Sequence, residues 1–198
     1  MVDTPINNGV ETHTGKALLA KKVWYFIQPT SLPVGSKAIL PAYQTEGDTT
    51  VGGDSVDEQT KQGRIVMPST NEDSVELTQY FSPGDPTADY LVKAKHEGHQ
   101  VKVWRVTVDE ALAEDEGDYK VYPAMFGYGV PDEVELSDGD DLVEANYTLN
   151  ILDKLKDGTF PLTDADIKAL EQIYEYERPG ETTGDFGGQA KTPVAPKA

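Results

Sequence analysis

Two segments of the chain alternate apolar and polar residues, and this period of two constrains the fold more than any other feature. They are SVELTQYF at 74–81 and LVEANYTLNIL at 142–152. Because successive side chains of a strand point to opposite faces, both segments predict half-buried β-strands. In the first segment, one face would carry Val75, Leu77, Gln79 and Phe81.

Shorter β-rich runs bounded by Gly, Pro and Asp surround these two segments and predict further strands. An acidic segment at 132–141 lies between the last two strand candidates, and its Gly-containing part, 138–141, is expected to be a solvated turn. The remaining strand candidates are 23–28, 38–44, 64–67, 100–108 and 122–130.

One helix is predicted at about residues 86–97. Asp85 can cap it, and Pro86 can occupy the first helical position, where a missing N–H costs nothing. Gly98 then supplies a left-handed stop. A second, short amphipathic helix is expected from Thr163.

Together these elements predict a mainly β chain, an antiparallel β-sandwich or barrel with one flanking α-helix at 86–97. The expected organisation is an N-terminal arm at 1–22, a single domain at 23–177 and a flexible tail at 178–198. The tail is too poor in apolar residues to fold alone.

Charge and composition exclude several classes of function. The chain of 198 residues has 35 acids against 17 bases, the opposite balance to proteins that grip nucleic-acid phosphates. There is no cysteine, no signal-peptide pattern and no stretch of about 20 apolar residues. We therefore expect synthesis in a cytoplasm and no membrane partner. The acidity has two interpretations, solubility or repulsion of passing DNA.

The catalytic and metal-binding patterns in the chain are incomplete. His96 and His99 are separated by the helix-ending Gly98, so they do not share a helical face. A calcium-loop spacing from Asp164 fails at Ala169, where glycine is needed. The sequence predicts no enzyme, no metal site and no cofactor.

The polar segment 45–63 is predicted to be a long loop, because it contains almost nothing to bury. Loops longer than about 12–15 residues are uncommon in compact domains and are usually functional or disordered.

Six short motifs follow one another along the chain, roughly over residues 28–184: PAYQTEG, DEQTKQGRI, VKVWR, FGYGV, LDKLKDG and RPGETTG. This ordered set resembles the major tail protein of long-tailed, non-contractile bacteriophages.

The resemblance implies a β-sandwich subunit that forms hexameric rings, which stack into the virion tail tube and conduct the genome during infection. Implied partners are further copies of the chain and other tail proteins, namely the tape measure, the terminator and the distal tail initiator. Double-stranded DNA would pass through without specific binding.

Within that interpretation, 45–63 is an assembly loop, mobile in the free subunit and ordered in the tube. Glu76 and Glu144 are candidate acids of the lumen, and which sheet face points inward stays open. The candidate contact residues of the loop are Thr45, Glu46, Asp48, Asp54, Asp57, Glu58, Gln59, Thr60 and Lys61.

Two alternatives remain. One is a monomeric acidic β-sandwich that binds a ligand such as carbohydrate, with Trp24 and Trp104 as an aromatic platform. The other is a capsid-decoration or tail-terminator protein, which would form a lattice or one ring.

Overall fold

The computed structural model describes residues 15–139 and 141–171, and these contain ten strands and two α-helices. The helices are α1 (Thr87–Glu97) and α2 (Asp164–Glu171). The strands are β1 (Val23–Pro29), β2 (Gln44–Thr50), β3 (Gly53–Thr60), β4 (Gly63–Asn71), β5 (Ser74–Tyr80), β6 (Val101–Thr107), β7 (Glu114–Glu116), β8 (Tyr119–Asp138), β9 (Val143–Ile151) and β10 (Lys156–Leu162).

Eight strands form one sheet in the order β1-β6-β8-β9-β5-β2, and β7 and β10 each also pair with β8. The pairs along this order are antiparallel. The strands β3 and β4 form a separate antiparallel hairpin. The expectation of a mainly β, antiparallel fold is therefore confirmed.

The strand β8 is twenty residues long, and two successive parts of it pair with different strands. It pairs with β6 from Ala124 to Gly129, and with β9 from Gly129 to Asp138, with an irregularity between Pro131 and Glu133. The predicted strand at 122–130 was therefore too short, because β8 continues through the acidic segment to Asp138.

The core lies on one face of this sheet and beneath α1. The central residues of both alternating segments are buried there, as their period predicted: Val75, Leu77 and Gln79 of β5, and Ala145, Tyr147, Leu149 and Ile151 of β9. The ends of the two patterns differ from the prediction, because Phe81 follows β5 and is 41% exposed, and Val143 is also 41% exposed. Leu91 and Ala94 of α1 are buried against them. The main cluster comprises Tyr25, Ile27, Val75, Leu77, Leu91, Ala94, Val101, Val103, Tyr147, Leu149, Ile151 and Leu155.

The sheet curls, so that its two end strands β1 and β2 come together. The side-chain amide of Gln44 accepts from the Tyr25 backbone N–H at 3.0 Å and donates to the Tyr25 carbonyl at 2.8 Å. The Tyr25 hydroxyl and Thr49 Oγ1 lie 3.0 Å apart. A Cβ at Gly47 would overlap the Tyr25 ring, so this close approach requires glycine.

A buried hydrogen-bond network fixes the start of α1. Asp85 Oδ1 accepts from the Thr87 backbone N–H at 2.9 Å and from its hydroxyl at 2.6 Å. Asp85 Oδ2 accepts from Gln79 Nε2 at 3.0 Å, and Gln79 Oε1 accepts from the Tyr147 hydroxyl at 2.9 Å. Burial, followed by the nearby charge of Asp85, raises the pKa of Tyr147.

The described residues divide into two compact units. The larger contains 15–113 and 122–160, and the smaller contains 114–121 and 161–171. In the smaller unit, β7 pairs with the first residues of β8. There α2 begins with a reciprocal cap, since Thr163 N–H donates to Asp166 Oδ2 at 3.0 Å and Asp166 N–H donates to Thr163 Oγ1 at 3.2 Å.

The helix predictions are close to the structure. The helix α1 ends at Gly98, whose φ is 69°, as expected. Pro86 is the residue before the first helical turn rather than its first member, and Asp85 still accepts the N–H of Thr87. The second expected helix is α2, and its predicted continuation to 173–174 lies outside the described residues.

The strand predicted at 38–44 was wrong. In this segment before Gln44, Ile39 alone is bridged to another strand, through an isolated bridge to Ile27. Pro41 has no N–H to donate to a ladder, and Tyr43 has a positive φ of 49°. Regular pairing therefore starts at Gln44, where β2 begins.

The long loop predicted at 45–63 was also wrong as a conformation. The segment contains β2, which pairs with β5, and β3, which pairs with β4. Its strands are held by backbone pairing and bury little side chain, so the alternating pattern that marks a half-buried strand is missing.

An ion pair across the β3–β4 hairpin links Arg64 to Asp57, with Arg64 Nε 2.7 Å from Asp57 Oδ1 and a second bond from Nη2 to Oδ2. The hydrogen bond from Arg64 lowers the pKa of the Asp57 carboxyl. Both groups are solvent-exposed, so the pair orders the hairpin locally and adds little to global stability.

Replacing Tyr147 by Phe is expected to lower the free energy of unfolding by about 1–2 kcal/mol, because Gln79 Oε1 loses its buried donor. Urea denaturation measures this change. The matched control is Tyr128→Phe, at a ring that is 39% exposed, which should stay within about 0.5 kcal/mol of the parent. Equal effects of both variants would contradict the network's role.

The Asp57 carboxyl is expected to titrate below the ordinary aspartate range, and Arg64→Gln should return it to that range. Since the pKa of Asp57 is lowered in the folded state, the ion pair stabilises the ordered hairpin at pH values above the ordinary aspartate pKa. This contribution is lost as pH falls through the lowered pKa. Carboxyl-carbon NMR measures both titrations. Lys61→Gln, which removes a neighbouring cation outside the pair, should leave the pKa of Asp57 lowered.

Candidate functional site

An acidic face lies on the side of the sheet opposite the core. It is formed by β2, β5, β9 and the second part of β8, residues 131–138. In one row across these strands, Asp48 pairs with Glu76, Glu76 with Thr148, and Thr148 with Glu133. The register therefore brings three carboxylates from different strands into line.

The next row repeats the arrangement. Glu46 pairs with Thr78, Thr78 with Asn146, and Asn146 with Glu135. These four strand segments contain no Lys or Arg. The acidic face is thus a set of six carboxylates without a basic residue in the same strands: Glu46, Asp48, Glu76, Glu133, Glu135 and Glu144.

Both candidate lumen acids lie on this acidic face. Glu76 is exposed, and Glu144 is half-buried and accepts from Asn146 Nδ2 at 3.2 Å. Sequence reasoning missed Glu133 and Glu135, because their acidic segment was not predicted to be part of a strand. The alternation of acidic and apolar residues in EVEL, 133–136, is the signal that identifies this strand.

The candidate contact residues of 45–63 separate into two groups. Thr45, Glu46 and Asp48 belong to β2 in the main sheet. The others lie on β3 or, for Lys61, in the turn between β3 and β4. Thr60 shapes that turn, since its hydroxyl donates to the Gly63 carbonyl at 2.7 Å and accepts from the Gln62 N–H at 3.2 Å.

The β3–β4 hairpin is exposed along its length, including its apolar residues. Val56, Ile65, Val66 and Met67 are 39–57% exposed. A two-stranded hairpin is marginally stable by itself in water, and this one gains little from packing on its own chain. By register, Val56, Ile65 and Met67 share one face of the hairpin, which we call the apolar strip, and Val66 lies on the other face. These exposed apolar residues make the hairpin a candidate interaction surface.

The base of the hairpin is nevertheless fixed to the core by Asp73, which is only 4% exposed. Its carboxylate accepts from the Gly52 N–H at 3.2 Å and from the Leu155 N–H at 2.7 Å. In addition, the Glu72 N–H donates to the Gly52 carbonyl at 2.9 Å. The two legs of the hairpin are therefore joined to each other and to the turn after β9.

Of the two aromatic residues proposed as a ligand platform, Trp104 packs against other rings of the chain. Trp104 lies in register between Phe26 and Phe126 on neighbouring strands. The Trp104 ring centroid is 5.2 Å from that of Phe126 and 5.8 Å from that of Phe160. Packing between strands accounts for Trp104 without a bound sugar.

No helix among the described residues has the length and apolar character needed to cross a lipid bilayer.

Comparison with known proteins agrees with this geometry. The chain is 34% identical over 182 residues to the tail tube protein gp17.1* of Bacillus phage SPP1, an alignment that covers 91% of this chain and 67% of that protein. The SPP1 tail tube structure, solved by solid-state NMR and cryo EM, matches with a TM-score of 0.61 and 31% identity, over 85% of this chain and 96% of the other.

A more distant structure, the tail of a gene transfer agent particle, has a TM-score of 0.53 at 11% identity. It covers 71% of this chain and 98% of the other, and it supports the fold alone. The relatives are structural tail tube proteins, so the expectation of a non-enzymatic role is confirmed. Residues 21–155 match the phage tail tube protein family, and the chain therefore belongs to that family as a structural component of a phage tail.

Proposed function

We propose that the chain forms hexameric rings, which stack into a tail tube with an acidic lumen that conducts the phage genome. The observation that carries this proposal is the acidic face, on which six carboxylates are held in register by segments of β2, β5, β9 and β8 that contain no Lys or Arg.

Two strand edges are suited to join neighbouring subunits within a ring. The strand β2 ends the sheet, and its pairing with β5 occupies one of its two sides. The pairing of β6 with β8 stops at Gly129, so β6 does not cover the side of 131–138 that faces away from β9. Pairing β2 of one copy with 131–138 of the next continues the sheet and covers both edges.

The dimensions of such a ring suit a DNA duplex. Six copies of the four-stranded unit, roughly 24 strands spaced about 4.8 Å apart and tilted by about 40°, close a barrel about 50 Å across. The gene transfer agent tail with the related fold has C6 symmetry, which supports the choice of six. Side chains that line the barrel leave a channel in which DNA passes without close contact.

In this arrangement the acidic face lines the channel. Carboxylates and phosphates carry the same charge, and the Debye length of about 8 Å at physiological salt lets the repulsion reach across part of the gap. A lumen without Lys or Arg in these strands offers no site at which a phosphate can pair. The repulsion therefore prevents DNA from binding to the wall of the channel, so DNA can pass through it.

The β3–β4 hairpin is assigned to contacts between rings. Its apolar strip is exposed in the free subunit and would be covered by a subunit of the next ring. Head-to-tail contacts of this type do not close on themselves and produce a filament. At its ends the filament would meet the distal tail initiator and the terminator, and its lumen would first contain the tape measure protein.

Shortening the hairpin tests the contacts between rings. Residues 54–70 are replaced by a Gly-Ser turn between Gly53 and Asn71, which are paired partners at its base. We expect a folded subunit that forms no long tubes, because the surface for the next ring is lost. Light scattering and negative-stain electron microscopy measure tube formation, and circular dichroism checks the fold.

The control replaces Val34 and Lys37, two exposed loop residues elsewhere in the chain, by Ser and should form tubes as the parent does. Long tubes from the shortened-hairpin variant would contradict the assignment.

Charge reversal tests the lumen. Glu76, Glu133 and Glu135 are changed together to Lys, which leaves their backbone pairing intact. Assembled tubes of this variant are expected to retain duplex DNA, and retention should fall as salt is raised, because phosphate binding releases counterions. Filter retention of labelled DNA at several salt concentrations measures the effect.

The control reverses three acids elsewhere, Asp89, Glu97 and Glu116, and changes the net charge by the same amount. Its tubes should retain no DNA in their lumen. Equal retention by both variants, or by neither, would show that the acidic face does not line the channel.

A further inference from the structure

The outward-facing backbone groups of β1 form hydrogen bonds within the chain, in contrast to those of β2. In antiparallel strands, alternate residues direct both backbone groups to the same side. On β1 the residues facing away from β6 are Tyr25 and Ile27, as their hydrogen bonds show, and by the same alternation Val23 and Pro29. At Tyr25, Ile27 and Pro29, the backbone groups that face outward are either hydrogen-bonded within the chain or missing.

Two of these positions are closed by the backbone. Ile27 exchanges two hydrogen bonds with Ile39, at 2.8 and 2.7 Å. Pro29 has no N–H, and its carbonyl accepts from the Leu32 N–H at 3.3 Å. Neither position can pair with an added strand unless the local backbone moves.

Tyr25 is closed by a side chain instead. The amide of Gln44 meets both the N–H and the carbonyl of Tyr25, and so replaces the two hydrogen bonds that a strand partner would make. Gln44 Nε2 also lies 3.3 Å from the Pro41 carbonyl. An open groove of about 700 Å³ runs beside this contact, lined by Leu18, Val23, Trp24 and Thr45 among others, so another chain can approach.

We propose that Gln44 is a specificity-determining residue for assembly: it blocks the edge of β1 and thereby restricts strand pairing between copies to β2 and 131–138. An exposed strand edge pairs with any available strand, including the same edge of another copy. The sheet ends at β1 and at β2. When the edge of β1 is blocked, a second copy can extend the sheet at its ends only by pairing with β2. This inference rests on the proposed function, because it presumes that copies of the chain pair through their strands.

The test compares Gln44→Leu and Gln44→Glu with the parent chain. The Leu variant leaves both Tyr25 groups open, whereas the Glu variant retains an acceptor for the N–H but has no donor for the carbonyl. In the monomer, the Tyr25 amide should exchange about fivefold faster in the Leu variant, as expected for the loss of one hydrogen bond. Hydrogen exchange followed by NMR measures this, with Val103 of the core as internal reference.

Assembly is then compared by electron microscopy and sedimentation. The Leu variant is expected to convert a several-fold larger share of protein into irregular aggregates, with the Glu variant intermediate. Gln100→Leu is the matched control, since Gln100 is exposed and none of its side-chain atoms contributes to an edge; it should match the parent.

The outcomes separate this inference from the proposed function. Regular tubes from the Leu variant, at the same yield as the parent, would overturn the role of Gln44 and leave the tube proposal intact. A parent chain that forms no tubes under any condition, even with other tail proteins, would overturn both. Unfolding of both Gln44 variants would also overturn the inference, because it would give Gln44 a folding role in place of a specificity role.

Discussion

The pairing of β5 with β9 is the constraint on which the rest of the structure depends. Its register sets Leu77 opposite Tyr147 on the core face and Glu76 opposite Thr148 on the other. Because the side-chain period is two, a slip of one residue would expose the core residues and bury the acids. The same hydrogen-bonded ladder therefore determines both the hydrophobic core and the acidic face, and neither can change alone.

The sequence predicted those elements that have one buried side and one side facing solvent. The strands β5 and β9 and the helix α1 were predicted within about two residues, because burial on one side imposes a period. The two candidate lumen acids fell on the same face for this reason. The family resemblance came from the order of short motifs, and the comparisons confirmed it.

Elements without such a contrast were missed or misinterpreted. The hairpin β3–β4 is exposed on both faces, so its residues show no period, and its strands exist through backbone pairing that composition does not reveal. The second part of β8 has acids on one face and half-exposed residues on the other, and it was not predicted to be part of a strand. The contact between Gln44 and Tyr25 joins positions 19 residues apart, and only the curling of the sheet brings them together.

The anchoring of the hairpin by Asp73 has a mechanical consequence. A tail that bends must lengthen on one side and shorten on the other, and the strain falls on whatever connects successive rings. Because Asp73 binds the hairpin base to Leu155, a residue of the core, a load on the hairpin is passed into a packed interior with little room to yield. If the hairpin connects successive rings, as proposed, such a tube would resist bending, and the buried Asp73 carboxylate is one of the links through which the load passes.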